Sequence, residues 1–250
     1  MTSYSSSNEL KALVLAGGRG KRLKDQTDQR NKCMLEFEGK RLIEYSLNNA
    51  VKFGADEIVV VVGYLAESIV NAFGNRYEQT PIKYVIQWEQ LGLVDAIECS
   101  SSTIDGADFV LLLGDEFLID ADYSSLIGTF REKQAFAVCG IIEVDDRANI
   151  AKTYSVLSAD NSCRIFRLIE KPRYPSNDLM GTGNIVFKNA IFDYIDQTPI
   201  NQKRGEKELP DLVQCAIDDN KEGNYSPGRS AINSRTHIPV HDVEIFQQNA

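Results

Sequence analysis

The chain has 250 residues, 43% of them hydrophobic and 25% charged, with a formal net charge of -9. That is an ordinary globular composition with ample material for a core, long for one domain and short for two. The acidic balance argues against broad nucleic-acid or membrane-surface binding, which needs basic patches.

Residues 1–9 are Ser-rich and lack both the charged and the apolar segments of a signal peptide, which predicts a floppy tail ahead of a single domain over residues 10–250. No apolar run approaches the length of a membrane span. The five cysteines (Cys33, Cys99, Cys139, Cys163, Cys215) are scattered and contain no C-x-x-C. They read as reduced thiols of a cytoplasmic protein, mostly core filler, rather than as a disulfide framework or zinc site.

From Leu10 the sequence runs through the β-prone Leu13-Val14-Leu15 into Ala16-Gly17-Gly18-Arg19-Gly20-Lys21-Arg22. A buried strand ending in a glycine-rich basic turn is a cradle for anions, because glycine lets backbone N–H groups approach a phosphate and the cations neutralise it. The turn is not a Walker loop, since Leu15 stands where the first glycine should be, and not a dinucleotide fingerprint, since Leu23 stands where the last should be.

Further on, Leu42–Phe53 carries apolar residues at helical spacing, Ile58–Val62 is a β-branched run suited to a strand buried on both faces, and Ala66–Phe73 is helical again. Val85–Ile86 and Phe109–Leu113 are further strands. This alternation predicts an α/β fold, a Rossmann-like three-layer domain with a mostly parallel, mixed sheet. The second half is richer in strand-like runs, at Ala135–Val144, Tyr154–Leu157, Ile165–Ile169 and Ile185–Phe187, with helical patterns at Ala190–Ile195 and Leu209–Asp219 and a surface loop over Asn220–Arg229.

Ligands of open parallel sheets bind at the carboxyl ends of strands. Three stretches meet that description: the glycine turn, Gln87–Ile97, and Leu113-Gly114-Asp115. Asp115 fits either a turn former or a magnesium ligand, Gly114 leaving room for close approach. Magnesium takes one or two carboxylates with phosphate oxygens and water, and Asp242, after the strand-like Ile238–Val240, is the candidate second carboxylate. In Glu170-Lys171-Pro172 the proline steers Lys171 away from helix and presents an acid and an amine rigidly. Tyr154, Trp88, His237 and His241 give only a weak case for a stacking platform or an acid–base pair. No G-x-S-x-G or H-E-x-x-H is present.

Taken in order, Leu15–Leu23, Asn31-Lys32-Cys33-Met34-Leu35, Gln87 through Gly92 to Ile97, Leu113-Gly114-Asp115, Glu170-Lys171-Pro172, Gly181-Thr182-Gly183-Asn184, Arg204–Asp211 and Asp242-Val243 resemble the sugar-1-phosphate nucleotidyltransferases. The resemblance implies a nucleotidyltransferase domain that uses magnesium to join a nucleoside triphosphate to a sugar 1-phosphate, releasing pyrophosphate. It places the triphosphate at Ala16, Gly17, Gly18 and Gly20, with Arg22 gripping it and Lys32 neutralising the departing pyrophosphate. Gln87 and Gly92 fall at the base, Asp115 and Asp242 at the metal. Lys171 falls at the sugar phosphate, with Glu170, Gly183, Ser155 and Asn184 around the sugar. Small members of the family are often homo-oligomers, but nothing in this sequence shows an interface. Such a reaction needs no general base, because its nucleophile is already an anion; positioning and charge neutralisation suffice.

The sequence departs from the family at Lys21 (usually Thr), Asn31 (usually Pro), Ser155 (usually a small residue, often Gly) and Glu244-Ile245 (usually Gly-Thr). Lys21 and Asn31 are expected to alter loop stiffness more than chemistry, whereas Ser155 and Asn184 leave the acceptor open. The chain ends soon after Asp242, so neither a hexapeptide-repeat extension nor acetyltransferase activity is expected. Two alternatives stand beside this reading: a cytidylyltransferase acting on a phospho-alcohol such as phosphocholine or on a phosphonate, and a catalytically silent nucleotide-binding sensor.

Overall fold

The computed structural model describes residues 9–20, 30–116, 118, 123–158 and 164–219, and the backbone of 228–231. Strand β1 (Leu10–Ala16) is buried along its whole length. A single 3-10 turn at Lys32–Met34 and a small hairpin, β2 (Glu36–Phe37) with β3 (Lys40–Arg41), lead into α1 (Leu42–Lys52). That helix starts where Glu44 reaches back to accept the Arg41 N–H at 2.8 Å, satisfying a donor the helix leaves unpaired. The β-branched run becomes β4 (Glu57–Val62), followed by α2 (Ala66–Phe73), β5 (Arg76–Tyr77), β6 (Thr80–Ile86), α3 (Leu93–Ile104) and β7 (Asp108–Leu113). The second half holds α4 (Tyr123–Glu132), β8 (Ala137–Glu143), β9 (Tyr154–Ser158), β10 (Ile165–Glu170), β11 (Leu179–Phe187), the hairpin β12 (Ile200–Asn201) and β13 (Glu206–Lys207), α5 (Leu209–Asp219) and β14 (Gly228–Ala231).

The elements form a single α/β domain around a mixed central sheet in the order β10-β9-β11-β7-β1-β4-β6-β5, with β8 on the other edge of β11 and β14 on β8. Its centre, β7-β1-β4-β6, is parallel throughout, and β11, β9 and β10 attach antiparallel. Alternate residues of β1 feed opposite faces. Leu13 and Leu15 join a core closed by α3 and α5, through Ile97 and Leu212. Ala12 and Val14 join one closed by α1, α2 and α4, through Leu47, Ile69 and Leu126. This is the three-layer arrangement the alternation predicts.

Three details differ from the sequence reading. Helix α4 has no counterpart in it, because only Leu126, Ile127 and Phe130 mark its apolar face beside Tyr123. The pattern at Ala190–Ile195 resolves into a 3-10 segment, Asn189–Tyr194, rather than an α-helix. Gly228 and Arg229, assigned to a surface loop, pair in parallel with β8 instead, opposite Val138 and Cys139. Cys33 and Cys139 fill core as expected, whereas Cys99 is exposed and Cys215 half-buried; Cys163 lies outside the described residues.

Beyond β9, strand β10 ends the sheet, and the Gln214 amide of α5 takes the place of a further strand beside it. Its Oε1 accepts the Leu168 N–H at 2.9 Å and its Nε2 donates to the Phe166 carbonyl at 3.3 Å. An otherwise open edge is thereby covered, and β10 delivers Glu170 to the carboxyl end of the sheet in a fixed register.

Candidate active site

The turn after β1 and the carboxyl ends of β6, β7 and β10 open on one cavity of about 470 Å³. Gly17, Gly18, Lys32, Gln87, Gly92, Asp115, Glu170, Lys171 and Gly183, all singled out from sequence, line it. Arg22 and Asp242 lie outside the described residues, as do Lys21, His237 and His241.

On the glycine-turn side, the Gly17 carbonyl accepts the Tyr64 N–H at 3.2 Å, and Arg19 stacks over the Tyr64 ring, 5.2 Å from its centre. Ala16 is fully buried at the end of β1, and Gly20 turns the chain with φ +63°. Gly114 is also closely packed: a side chain there would lie 3.0 Å from the Leu15 carbonyl and 3.1 Å from Cys33 Sγ, so its neighbours would have to shift by a few tenths of an ångström.

Lys32 and Asp115 are in contact, the ammonium donating to Asp115 Oδ2 at 2.5 Å. The Cys33 thiol beneath them is pushed up by burial and then by the Asp115 charge, so it remains protonated and inert. Among the described residues no group of three or more potential ligands gathers around a metal position. One carboxylate across the cavity from a glycine turn is nevertheless a donor set compatible with magnesium, which draws most of its shell from phosphate oxygens and water.

Gln87 is buried where β6 ends. Its Nε2 donates to the Gly92 carbonyl at 3.1 Å and to Asp95 Oδ2 at 2.5 Å. With both amide hydrogens engaged, Oε1 is the acceptor left on the side chain, and it lies so close to Gly17 that a β-carbon there would sit 2.9 Å away. Gly92 adopts φ +109°, and a side chain on it would run into Glu206, 2.7 Å from Oε2. That conformation is one L-residues rarely reach.

Across the cavity, Lys171 also adopts left-handed φ, +40°, rather than the extended backbone its proline neighbour favours. Its N–H donates to the Thr153 carbonyl at 2.7 Å, which pins it at the strand end. Its ammonium meets Glu170 Oε1 at 2.6 Å, and Arg204 meets the same oxygen at 3.4 Å while also pairing with Glu206 and, at 3.1 Å, with Glu208. Burial, then the Glu170 charge, raises the pKa of Glu208, while Arg204 pulls it back down.

Tyr154, Glu116 and Arg204 also line the cavity; sequence reasoning gave Tyr154 only a weak stacking or acid–base case and gave Glu116 and Arg204 no site role. The Tyr154 ring crosses over Gly181 and its hydroxyl donates to the Thr182 carbonyl at 2.7 Å. Glu116 Oε2 accepts from the Gly183 N–H at 2.7 Å and from Asn184 Nδ2 at 3.2 Å. Asn184 thus supports Glu116, and does not itself line the cavity. Ser155, next to Tyr154 on the strand, points to the other face of β9. It is buried, donates to Asn177 Oδ1 at 3.0 Å and is not brought to the cavity either. Tyr154 was weighed from the sequence and Arg204 falls within the Arg204–Asp211 mark, whereas Glu116 gave no signal. Trp88 is 83% exposed and not among the lining residues.

The family model described as nucleotidyl transferase matches residues 11–230. Over 209 residues the chain is 35% identical to a UTP–glucose-1-phosphate uridylyltransferase, AglF, of Haloferax volcanii, covering 83% of this chain and 84% of that protein. Over 211 residues it is 31% identical to a glucose-1-phosphate thymidylyltransferase of Streptomyces antibioticus, covering 84% of this chain but 58% of that longer relative. Among solved structures, a UDP-glucose pyrophosphorylase complexed with UDP-glucose superposes with a TM-score of 0.82 at 19% identity, over 97% of this chain and 100% of that one. A UTP-bound UGPase from Acinetobacter baumannii gives 0.79 at 20% identity, over 97% and 94%. At those identities the two structures support the fold alone.

Proposed function

We propose, from the premise that this chain belongs to the nucleotidyl transferase family and is a sugar-1-phosphate nucleotidyltransferase, that it transfers a uridylyl or thymidylyl group to an aldose 1-phosphate. The observation that carries the choice of base is the Gln87 amide, whose two hydrogens are engaged by Gly92 and Asp95. Its remaining acceptor suits a base edge that offers an N–H, as N3 of uracil and thymine does. Cytosine N3 and adenine N1 are themselves acceptors and cannot donate to it; guanine N1–H can, and the uridylyl- and thymidylyltransferase relatives favour the pyrimidines over guanine.

In this reading a sugar-phosphate oxygen attacks the α-phosphorus of the triphosphate in line. The new P–O bond forms as the bond to the β-phosphate oxygen breaks, and pyrophosphate leaves with that electron pair. Backbone N–H groups of Gly17, Gly18 and Gly20, with Arg22, hold the triphosphate, and Lys32 neutralises the leaving group. Lys171 holds the acceptor phosphate, and Glu170 with the Gly183 strand lines the sugar. Asp115, with Asp242, would hold magnesium, which when bound neutralises charge on the phosphate oxygens. Residues 10–250 act as one such domain in a cytoplasmic enzyme. No helix among the described residues is long and apolar enough to cross a membrane.

The phosphocholine alternative fares worse, because a quaternary amine is held by several aromatic faces and Tyr154 is the single aromatic among the described residues lining the cavity. The reading is tested by pyrophosphate release with UTP, dTTP, CTP, ATP and GTP against a panel of sugar 1-phosphates, phosphocholine and a phosphonate, with and without magnesium. The expected result is release with UTP or dTTP and a sugar 1-phosphate. Release with CTP and phosphocholine or a phosphonate would overturn it, and nucleotide binding without any turnover would identify a sensor. Lys171→Ala is expected to raise KM for the sugar phosphate roughly 10- to 100-fold, the worth of a charge-assisted hydrogen bond, with KM for the triphosphate unchanged. Unaltered acceptor saturation would move that role to another residue.

A further inference from the structure

Where the resembled family usually carries proline, this chain carries Asn31, and its side chain is fully buried beside the glycine turn. All three of its hydrogen-bonding positions are engaged, each by a different segment. Oδ1 accepts the Cys33 N–H at 2.8 Å and so caps the 3-10 turn that begins at Lys32. Nδ2 donates to the carbonyl of Ala16, the residue before Gly17, at 3.1 Å, and to the carbonyl of Tyr64, in the loop after β4, at 2.7 Å. The loop after β4 is in turn bonded to the glycine turn through Tyr64 N and the Gly17 carbonyl. Lys32, held by the capped turn, reaches Asp115 at the end of β7.

We infer that Asn31 is a positioning residue for the transfer reaction, its buried amide fixing Lys32 and the glycine turn in a common frame. This rests on the reading above that Lys32 and the turn act on the triphosphate. The backbone at Asn31 has φ -65° and ψ 137°, values that proline shares. A proline there would restrain the chain through its ring, yet it could neither cap the Lys32 turn nor donate to Ala16 and Tyr64. This chain therefore fixes the same geometry by cross-linking three segments instead of by stiffening one. On this inference Asn31 bears on the chemistry as well as on the loop stiffness expected of it. The amide decides where the Lys32 ammonium starts from relative to the cradle, and a cation misplaced by about 1 Å stabilises a developing charge far less well.

The experiment compares Asn31→Ala and Asn31→Pro, each alone and combined with Lys32→Ala, by pyrophosphate-release kinetics and thermal melting of the full chain. Asn31→Ala is expected to lower kcat about 10- to 100-fold, the scale of a small misplacement of a reacting group, with KM for the sugar phosphate essentially unchanged. Asn31→Pro, whose φ suits the site, is expected to fold and to show a loss of the same kind. In the Lys32→Ala background either change is expected to cost less than about threefold, because groups that act as one unit are not additive. A residue that only holds the fold together would instead move the melting temperature and leave kcat intact, or give the same loss with and without Lys32.

Rates within about twofold of wild type for both variants, or additive losses, would overturn the inference, since coupling to Lys32 is its content. Failure of both variants to fold would also overturn it, by assigning Asn31 to stability. If Lys32→Ala is as active as wild type, the underlying reading of Lys32 falls and takes the inference with it. If Lys32→Ala is impaired while the Asn31 variants are not, the inference alone falls.

Discussion

Asp115→Asn is expected to lower turnover by about 100-fold or more, equivalent to roughly 3 kcal/mol of transition-state electrostatics, without unfolding the protein. The residue follows Gly114 just beyond β7, which ends at Leu113, and its carboxylate meets the Lys32 ammonium. The amide keeps the shape and can still accept a hydrogen bond from Lys32, so the substitution removes charge and little else. The side chain is 31% exposed, and an ion pair in that setting contributes only about 0–1 kcal/mol to folding. The large loss should therefore appear in kcat, and in the magnesium concentration needed for half-maximal rate, while the melting temperature stays close to wild type. Pyrophosphate release titrated with magnesium, alongside a thermal melt, separates the two effects. A near-normal rate would remove Asp115 from the metal.

The second large effect is expected at Gly181. The residue lies between β9 and β8, paired with Tyr154 on one side and Ile141 on the other. The Tyr154 ring lies over it, so a β-carbon would overlap the ring atoms Cε2 and Cζ. A flexible side chain could swing aside. This ring cannot, because it is buried and its hydroxyl is tied to the Thr182 carbonyl. A glycine covered by a cross-strand aromatic is a stable solution within a sheet, and Gly181→Ala turns it into overpacking. The expected cost is about 1–3 kcal/mol or more, or roughly 2–4 °C in Tm for each kcal/mol. Because Tyr154 is also cavity wall, KM for the acceptor should rise as well. An unchanged melting curve would mean that the ring has another place to go. Gly181→Ala combined with Tyr154→Leu should recover part of the stability, which ties the loss to this one contact.

The sequence made the centre of the sheet legible for a physical reason. Ile58–Val62 is buried on both faces, and only an unbroken apolar run satisfies that environment. Asp115 and Gln87 were legible because they stand at or just beyond the carboxyl ends of strands, β7 and β6. What the residues could not reveal is which side chains meet across the fold. The Lys32–Asp115 pair joins positions 83 residues apart, and the Glu116 contact with Gly183 spans 67. Strand alternation keeps Ser155 from lining the cavity: Tyr154 takes the cavity face, which leaves its neighbour on the other. Helix α4 escaped because its apolar positions are few. Asn31 was noticed as a departure, but its bonds to Ala16 and Tyr64 join segments that only the folded chain brings together.

The strand order also governs when this site can come into being during synthesis. The glycine turn is made before the strands that come to surround it, and β1 can pair with β4 soon after the turn emerges. Its other neighbour, β7, must wait until Asp108–Leu113 has emerged, and the wall formed by β11 waits for Leu179–Phe187. Pairings between distant segments form slowly, because the entropy of closing the intervening loops must be overcome before any contact rewards it. A ribosome-bound intermediate ending before β11 would therefore hold the glycine turn without the β11 wall of the cavity, and β7 would present an unpaired apolar edge to the cell. Substitutions that leave the finished enzyme unharmed but slow the docking of β11 should lower the yield of folded protein rather than the activity of each molecule.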